Sequence, residues 1–156
     1  MIGRSLMKHK IGVIPFDISG DRMAVMFVTS QKRGRWILPK GDLKAEETHK
    51  QGCKREAFEE AGVRGKLLKD FPMTVVIGKS KGRKVENVLV TYYPFLVTEQ
   101  VNVWPEDHKR ERHWSLLENA HKVTERADYL QLVKQFDAIT PWILEIAKRK
   151  KANLPA

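Results

Sequence analysis

The sequence predicts a mixed α/β (α+β) fold, a sandwich in which strands group around one central helix and a terminal helix closes the chain. Three observations carry that expectation. Apolar, β-branched runs are parted by turn residues, one helix is strongly capped, and apolar residues recur at helical spacing near the end. The 156 residues suffice for one domain, 1–156, with a sizeable core.

Residues 11–18 and 23–29 are strand-like, and Ser19-Gly20-Asp21-Arg22 between them is turn chemistry, so they form a hairpin. A basic loop follows over 31–35, then Trp36-Ile37-Leu38, stopped by Pro39. Thr48 and Gln51 have capping-box spacing, which starts a helix that runs to Ala61 and stops at Gly62. Residues 63–77 and 85–98 read as strands, separated by a mobile basic loop over 78–84. Arg110 to Leu116 is a weaker strand. Tyr129, Leu132, Val133, Phe136 and Ile139 have helical spacing. Thr140-Pro141 reads as a cap and first helical position, restarting a short helix through Ile146. The remainder, 148–156, is a solvated basic tail.

Composition narrows the function classes. No window approaches the roughly 18 consecutive apolar residues of a transmembrane helix. The N-terminal MIGRSLMKHK lacks an apolar core, so no secretory signal is expected. One cysteine, Cys53, excludes an internal disulfide framework and a Cys-based zinc knuckle, and the expected compartment is the reducing cytoplasm. Net charge is +10, but it is unevenly spread: residues 41–62 carry −2, between basic segments of +6 (1–40) and +5 (63–91). A basic surface points to a polyanionic partner.

The acidic island is unusual in its placement. Glu56, Glu59 and Glu60 stand at i, i+3 and i+4, on one helical face, where like charges repel. Clustered carboxylates supply the oxygen ligands that a hard cation such as Mg²⁺ needs. Spacing alone leaves this open against a merely solvated acidic face. Gly52, one turn before Glu56, is expected to keep that face clear, and Cys53 to be a small buried hydrophobe.

The wider string decides between these readings. Gly41-x5-Glu47-x7-Arg55-Glu56-Ala57-x-Glu59-Glu60-x-Gly62-Val63 resembles the Nudix box (residues 41–63) with every fixed position present. The resemblance implies a Nudix-type α/β/α sandwich, with the box helix on one face of a central mixed sheet. It implies Glu56 and Glu60 as principal metal ligands, with the Lys40 backbone carbonyl. Glu59 then serves as general base or additional ligand, and Glu56 belongs to the catalytic set. Gly41 and the Glu47–Arg55 ion pair are structural support. The implied cofactor is Mg²⁺, with Mn²⁺ as substitute, and the implied reaction is hydrolysis of a phosphoanhydride linked to another moiety.

Arg35-Trp-Ile-Leu-Pro-Lys-Gly41, Glu59 to Leu67 and Lys109 to Trp114 are similar to the diphosphoinositol polyphosphate phosphohydrolase branch of that family. Lys40 stands where that branch has glycine, and His113 is inserted before Trp114; the Pro-Lys-Gly form is shared with asymmetric dinucleoside-polyphosphate hydrolases. Expected substrate-binding residues are Arg33, Arg35, Lys40, Lys81, Arg83 and Lys84, whose charges suit several phosphates. The expected partner is therefore a phosphate-rich small molecule, and no membrane. The competing readings are a nucleic-acid-binding or cap-hydrolase-like protein, stacking bases on Trp36, Tyr92, Tyr93 or Trp104, and an ADP-ribose or NDP-sugar pyrophosphatase.

Overall fold

A computed structural model describes residues 9–154; the N-terminal stretch read for a signal and the last two residues of the basic tail lie outside the described residues. Strands β1 (His9–Ser19) and β2 (Arg22–Thr29) form the expected hairpin, with Phe16 opposite Val25 and Ser19 opposite Arg22. Two short strands follow, β3 (Trp36–Ile37) on β2 and β4 (Lys40–Gly41) on β1. Helix α1 (His49–Ala61) leads to β5 (Val63–Leu67), β6 (Met73–Lys81), β7 (Lys84–Gln100) and β8 (Arg112–Leu116). After a 3-10 turn, α2 (Ala127–Ala138) and α3 (Thr140–Ala152) complete the chain.

The sheet is mixed. β1 pairs in parallel with the middle of β7, from His9 opposite Leu89 to Phe16 opposite Leu96, while the other pairings are antiparallel. Residues 11–16 of β1 are all buried, so both faces of the strand are covered. Side chains alternate between faces along a strand. Ile11 lies against α1 near Gly52, whereas the Phe16 ring packs 5.7 Å from Phe136 of α2. Helices therefore cover opposite faces of the sheet, giving an α/β/α sandwich.

Four local expectations are corrected. The strand expected over 63–77 breaks at 68–72, because β5 and β6 pair with different stretches of β7 and the chain must step between them. Residues 78–84 are not a loose loop. Gly78 to Lys81 pair with Lys84 to Asn87, leaving Gly82-Arg83 as a tight turn, with Gly82 at φ 64°. Thr140 does not cap α3; its hydroxyl donates to the Phe136 carbonyl instead. The basic stretch 148–151 is helical, not a free tail. Its i, i+3 spacing aims two lysines at the β1–β2 turn, Lys148 at Asp21 (2.5 Å) and Lys151 at Asp17 (2.6 Å).

Candidate active site

Helix α1 starts where local chemistry directs. The Thr48 hydroxyl accepts from the Gln51 amide and the Gln51 side chain accepts from the Thr48 amide, closing the capping box. The helix ends at Gly62 in the left-handed region, φ 64°. Its inner strip of Gly52, Cys53, Ala57 and Ala61 is buried against the sheet. Cys53 is fully buried, its thiol directed at the Gly12 carbonyl, and burial pushes its pKa up to about 12. Gly52 does not keep a face open. A methyl there would come within 2.7 Å of Leu43, so the glycine permits close packing of the 41–47 loop.

That packing brings β4 against the helix. A side chain at Gly41 would occupy the position of the Glu56 carboxylate, so only glycine allows this approach. Arg55 ties the loop down. It donates through Nε and Nη2 to both oxygens of Glu47 (2.8 Å each), through Nη2 to the Asp42 carbonyl (2.8 Å) and through Nη1 to Glu56 (2.6 Å). The Arg55 hydrogen bonds hold the Glu47 carboxyl down to about 2.

Glu56 and Glu60 are both buried, 7% and 5% exposed, and each carboxyl bears on the other's protonation. Burial raises the pKa of both, more strongly at Glu60, despite the Arg110 guanidinium 3.5 Å away. The Glu60 Oε1 atom is buried without a hydrogen-bond partner. Such an atom costs on the order of 1–3 kcal/mol or more when left unsatisfied. Glu59 diverges from the pair: its side chain is 34% exposed and stands 3.5 Å from Arg55. Among the described residues no group of three or more His, Cys, Asp or Glu side chains is arranged as a ready metal cage. All three carboxylates stay on one side of the helix, where the same Arg55 Nη1 meets Glu56 at 2.6 Å and Glu59 at 3.5 Å. The donor set of two buried carboxylates, one with an orphan oxygen, nevertheless fits a hard divalent cation.

Glu60 opens onto a cavity of about 530 Å³ lined by Lys10, Lys32, Arg33, Arg35, Lys40, Lys79, Arg110 and Arg126, with Ile37 and Val85. Glu60 is the only acid among the lining residues. Lys40 is half-buried there, and desolvation lowers its pKa. Arg33 and Arg35 come from the β2–β3 loop, which Ser30 organises by accepting from the Gly34 and Arg35 amides. Of the expected binding residues, Arg33, Arg35 and Lys40 line the cavity. Arg83 and Lys84 sit at the β6–β7 hairpin tip and do not, and the Lys81 side chain lies outside the described residues. Lys79, two residues earlier on the strand, takes that place.

Lys10, Lys32, Lys79, Arg110 and Arg126 are the cationic lining residues that sequence reasoning left out of the binding set, and the two arginines are the furthest beyond the box. They stand about 50 residues or more beyond the box, and no local spacing links them to it. A second cavity, about 500 Å³, carries both signs of charge and no box residue. Of the four rings in the nucleic-acid reading, Trp36 and Tyr93 are half-buried and the other two are engaged. Tyr92 is fully buried and donates to the Leu38 carbonyl, while Trp104 is packed under Arg112.

The carboxyl chemistry gives a pH prediction. Folded Glu60 holds a proton that the unfolded chain releases, between about 4.5 and about 8. The metal-free protein therefore loses stability as pH rises through that window. Lys40, with its pKa depressed, acts above about 8 and in the opposite sense. Mg²⁺ should raise the melting temperature most at the upper end, where it replaces the lost proton. Melting curves from pH 5 to 8.5, with and without Mg²⁺, check this; a metal-free melting temperature that climbs across the window would contradict it.

Residues 8–136 match the NUDIX domain family model. The chain is 33% identical over 134 residues to bovine diphosphoinositol polyphosphate phosphohydrolase 3-beta, covering 81% of this chain and 78% of that protein. It is 32% identical over 114 residues to Arabidopsis thaliana Nudix hydrolase 17, mitochondrial, covering 69% of this chain and 61% of the relative. The match to Nudix hydrolase 18, mitochondrial, spans 66% of that relative, so the chain covers under two thirds of both plant proteins. Among solved structures, a C. elegans Ap4A hydrolase binary complex superposes with a TM-score of 0.66 at 20% identity, covering 85% of this chain and 97% of that one. The NUDIX domain of Shewanella oneidensis NrtR complexed with ADP ribose gives 0.63 at 18%, covering 86% and 89%; both share the fold. No helix among the described residues is long and apolar enough to cross a membrane. The sandwich is thus shared with solved Nudix structures and the family pattern runs through most of the sequence: this chain belongs to the Nudix family.

Proposed function

We propose that this chain is a divalent-metal-dependent hydrolase of phosphoanhydride bonds, acting on a densely phosphorylated small molecule. Diphosphoinositol polyphosphates are the favoured class and dinucleoside polyphosphates the alternative. The carrying observation is the cavity beside Glu60, lined by eight Lys and Arg side chains and no aromatic ring among the described residues. Eight cations, three of them (Lys10, Arg110 and Arg126) also paired with acids, match several phosphates, and a cavity without an aromatic ring leaves a nucleobase only guanidinium planes to stack on.

In this reading Glu56 and Glu60 hold Mg²⁺ or Mn²⁺, with the Lys40 carbonyl as a further donor. When bound, the ion neutralises phosphate oxygens and acidifies a coordinated water. Glu59, the most exposed of the three, takes the attacking water's proton on a carboxylate oxygen. Arg33, Arg35, Lys79 and Arg126 bind the phosphates that do not react. Gly41, Glu47 and Arg55 keep the loop and helix in register. Water adds across the P–O–P bridge and leaves two phosphate-bearing products. A reducing cytoplasm suits the single buried thiol.

The direct test is hydrolysis by purified protein with Mg²⁺ of diphosphoinositol polyphosphates, dinucleoside polyphosphates, ADP-ribose, NDP-sugars and capped RNA. Preference for ADP-ribose or capped RNA would overturn the substrate class. The hairpin gives a finer prediction. Lys79→Ala should raise KM for the most phosphorylated substrate about tenfold with kcat nearly unchanged, because uniform binding is lost. Joint replacement of Lys81, Arg83 and Lys84 by alanine should raise it less, by about twofold, and that smaller effect should vanish at high salt. Steady-state kinetics at two ionic strengths separates the two, and a larger effect from the triple variant would move the binding surface to the hairpin tip.

A further inference from the structure

We infer that the segment 101–112, which joins β7 to β8 and ends on the first residue of β8, positions the catalytic end of α1 through Trp104 and Arg112. This rests on the function proposed above. The last carbonyls of a helix have no partner within it, and α1 carries no basic residue in its final turn. Distant residues supply both needs. The Trp104 Nε1–H donates to the Glu60 carbonyl at 3.1 Å, and the Glu106 amide donates to the Glu59 carbonyl at 3.1 Å. Arg112 Nη1 donates to the Ala61 carbonyl at 3.1 Å and to Val101 at 2.8 Å, and its guanidinium lies 3.8 Å from the Trp104 ring centre. The Val101 amide closes the set on the Gly62 carbonyl at 2.9 Å.

Four consecutive carbonyls, from Glu59 to Gly62, are thus held by one segment. Its fit to the helix end is close: a side-chain methyl at Gly62 would stand 2.8 Å from the Trp104 ring. Gly62 therefore serves twice, as the left-handed stop and as the floor for the indole. Neither Trp104 nor Arg112 lines the cavity, so Trp104 acts through the backbone of Glu60, whose carboxylate does, and Arg112 through its neighbour Ala61. They are positioning residues. The stacked pair fixes where Glu60 presents its oxygens, and small displacements of such groups are costly to catalysis.

The conservative variants Trp104→Phe and Arg112→Lys test this. The first keeps the ring and removes the donor; the second keeps the charge and removes the planar stack. Three measurements are made on each and on wild type: amide hydrogen exchange along α1, Mn²⁺ binding by electron paramagnetic resonance, and steady-state kinetics. Exchange should quicken about tenfold in the last turn of α1 only. The Mn²⁺ dissociation constant should rise about fivefold, and kcat should fall about tenfold with KM within twofold. If one variant does not fold, the other carries the test. Unchanged exchange at residues 59–62, or faster exchange with wild-type Mn²⁺ affinity and kcat, overturns the positioning role while leaving the proposed function standing. A wild-type protein that neither binds Mn²⁺ nor cleaves any phosphoanhydride overturns both.

Discussion

Glu60→Gln is expected to lower turnover at least a hundredfold and, without metal at neutral pH, to melt at or above the wild-type temperature. The two effects have one cause. Glu60 is 5% exposed, its carboxyl is raised by burial, and its Oε1 lacks a partner. A neutral amide of the same shape removes the cost of taking up that proton on folding, while Arg110 keeps Glu106 at 2.8 Å and the Thr29 carbonyl at 2.8 Å. The same amide is a poor ligand for a hard cation. A hundredfold loss corresponds to about 2.7 kcal/mol of transition-state stabilisation. Glu59→Gln should also lose turnover but change metal affinity less, because Glu59, at 34% exposed, is the solvated member of the three. Calorimetric metal titration with single-turnover kinetics checks both variants. Wild-type turnover in Glu60→Gln would remove that residue from the site.

Arg55→Ala should lower both stability and activity. Its guanidinium makes two bonds to Glu47, one to Glu56 and one to the Asp42 carbonyl, and is 3.5 Å from Glu59. Without it, three carboxylates converge on one another and the 41–47 loop loses its anchor. A melting temperature roughly 5–10 °C lower is expected for loss of such a network in a domain of this length. The pH dependence identifies the cause. Glu47 is held down to about 2 by Arg55, so its share of the stability is present above about 4.5 and is lost as pH falls towards 2. The gap between variant and wild type should narrow over that interval. Arg55→Lys keeps the charge without the fork and should recover part of it. Thermal melts from pH 2.5 to 7 check this, and equal melting temperatures at pH 7 would show that the pair does not brace the loop.

The sequence by itself determined what acts within a few residues. The capping box at Thr48 and Gln51, the left-handed stop at Gly62 and the β1–β2 hairpin are closed by neighbours, so spacing and turn chemistry sufficed. The shared helical face of Glu56 and Glu60 was legible for the same reason. How deeply each of the three carboxylates sits was not, because that depends on where the sheet lies. Tertiary structure alone decided the long-range matters. The break at 68–72 follows from which part of β7 each strand meets, and the seating of Lys148 and Lys151 follows from the hairpin turn beneath them. Lys79 rather than the hairpin tip faces the cavity because pairing with β7 fixes its side. Arg110 and Arg126 join Lys10 and Lys40 only once the sheet has formed, and Trp104 reaches the Glu60 carbonyl across 44 residues of sequence. Local torsions and side-chain hydrogen bonds are written in short strings, but the sharing of a cavity by distant charges depends on strand order and register.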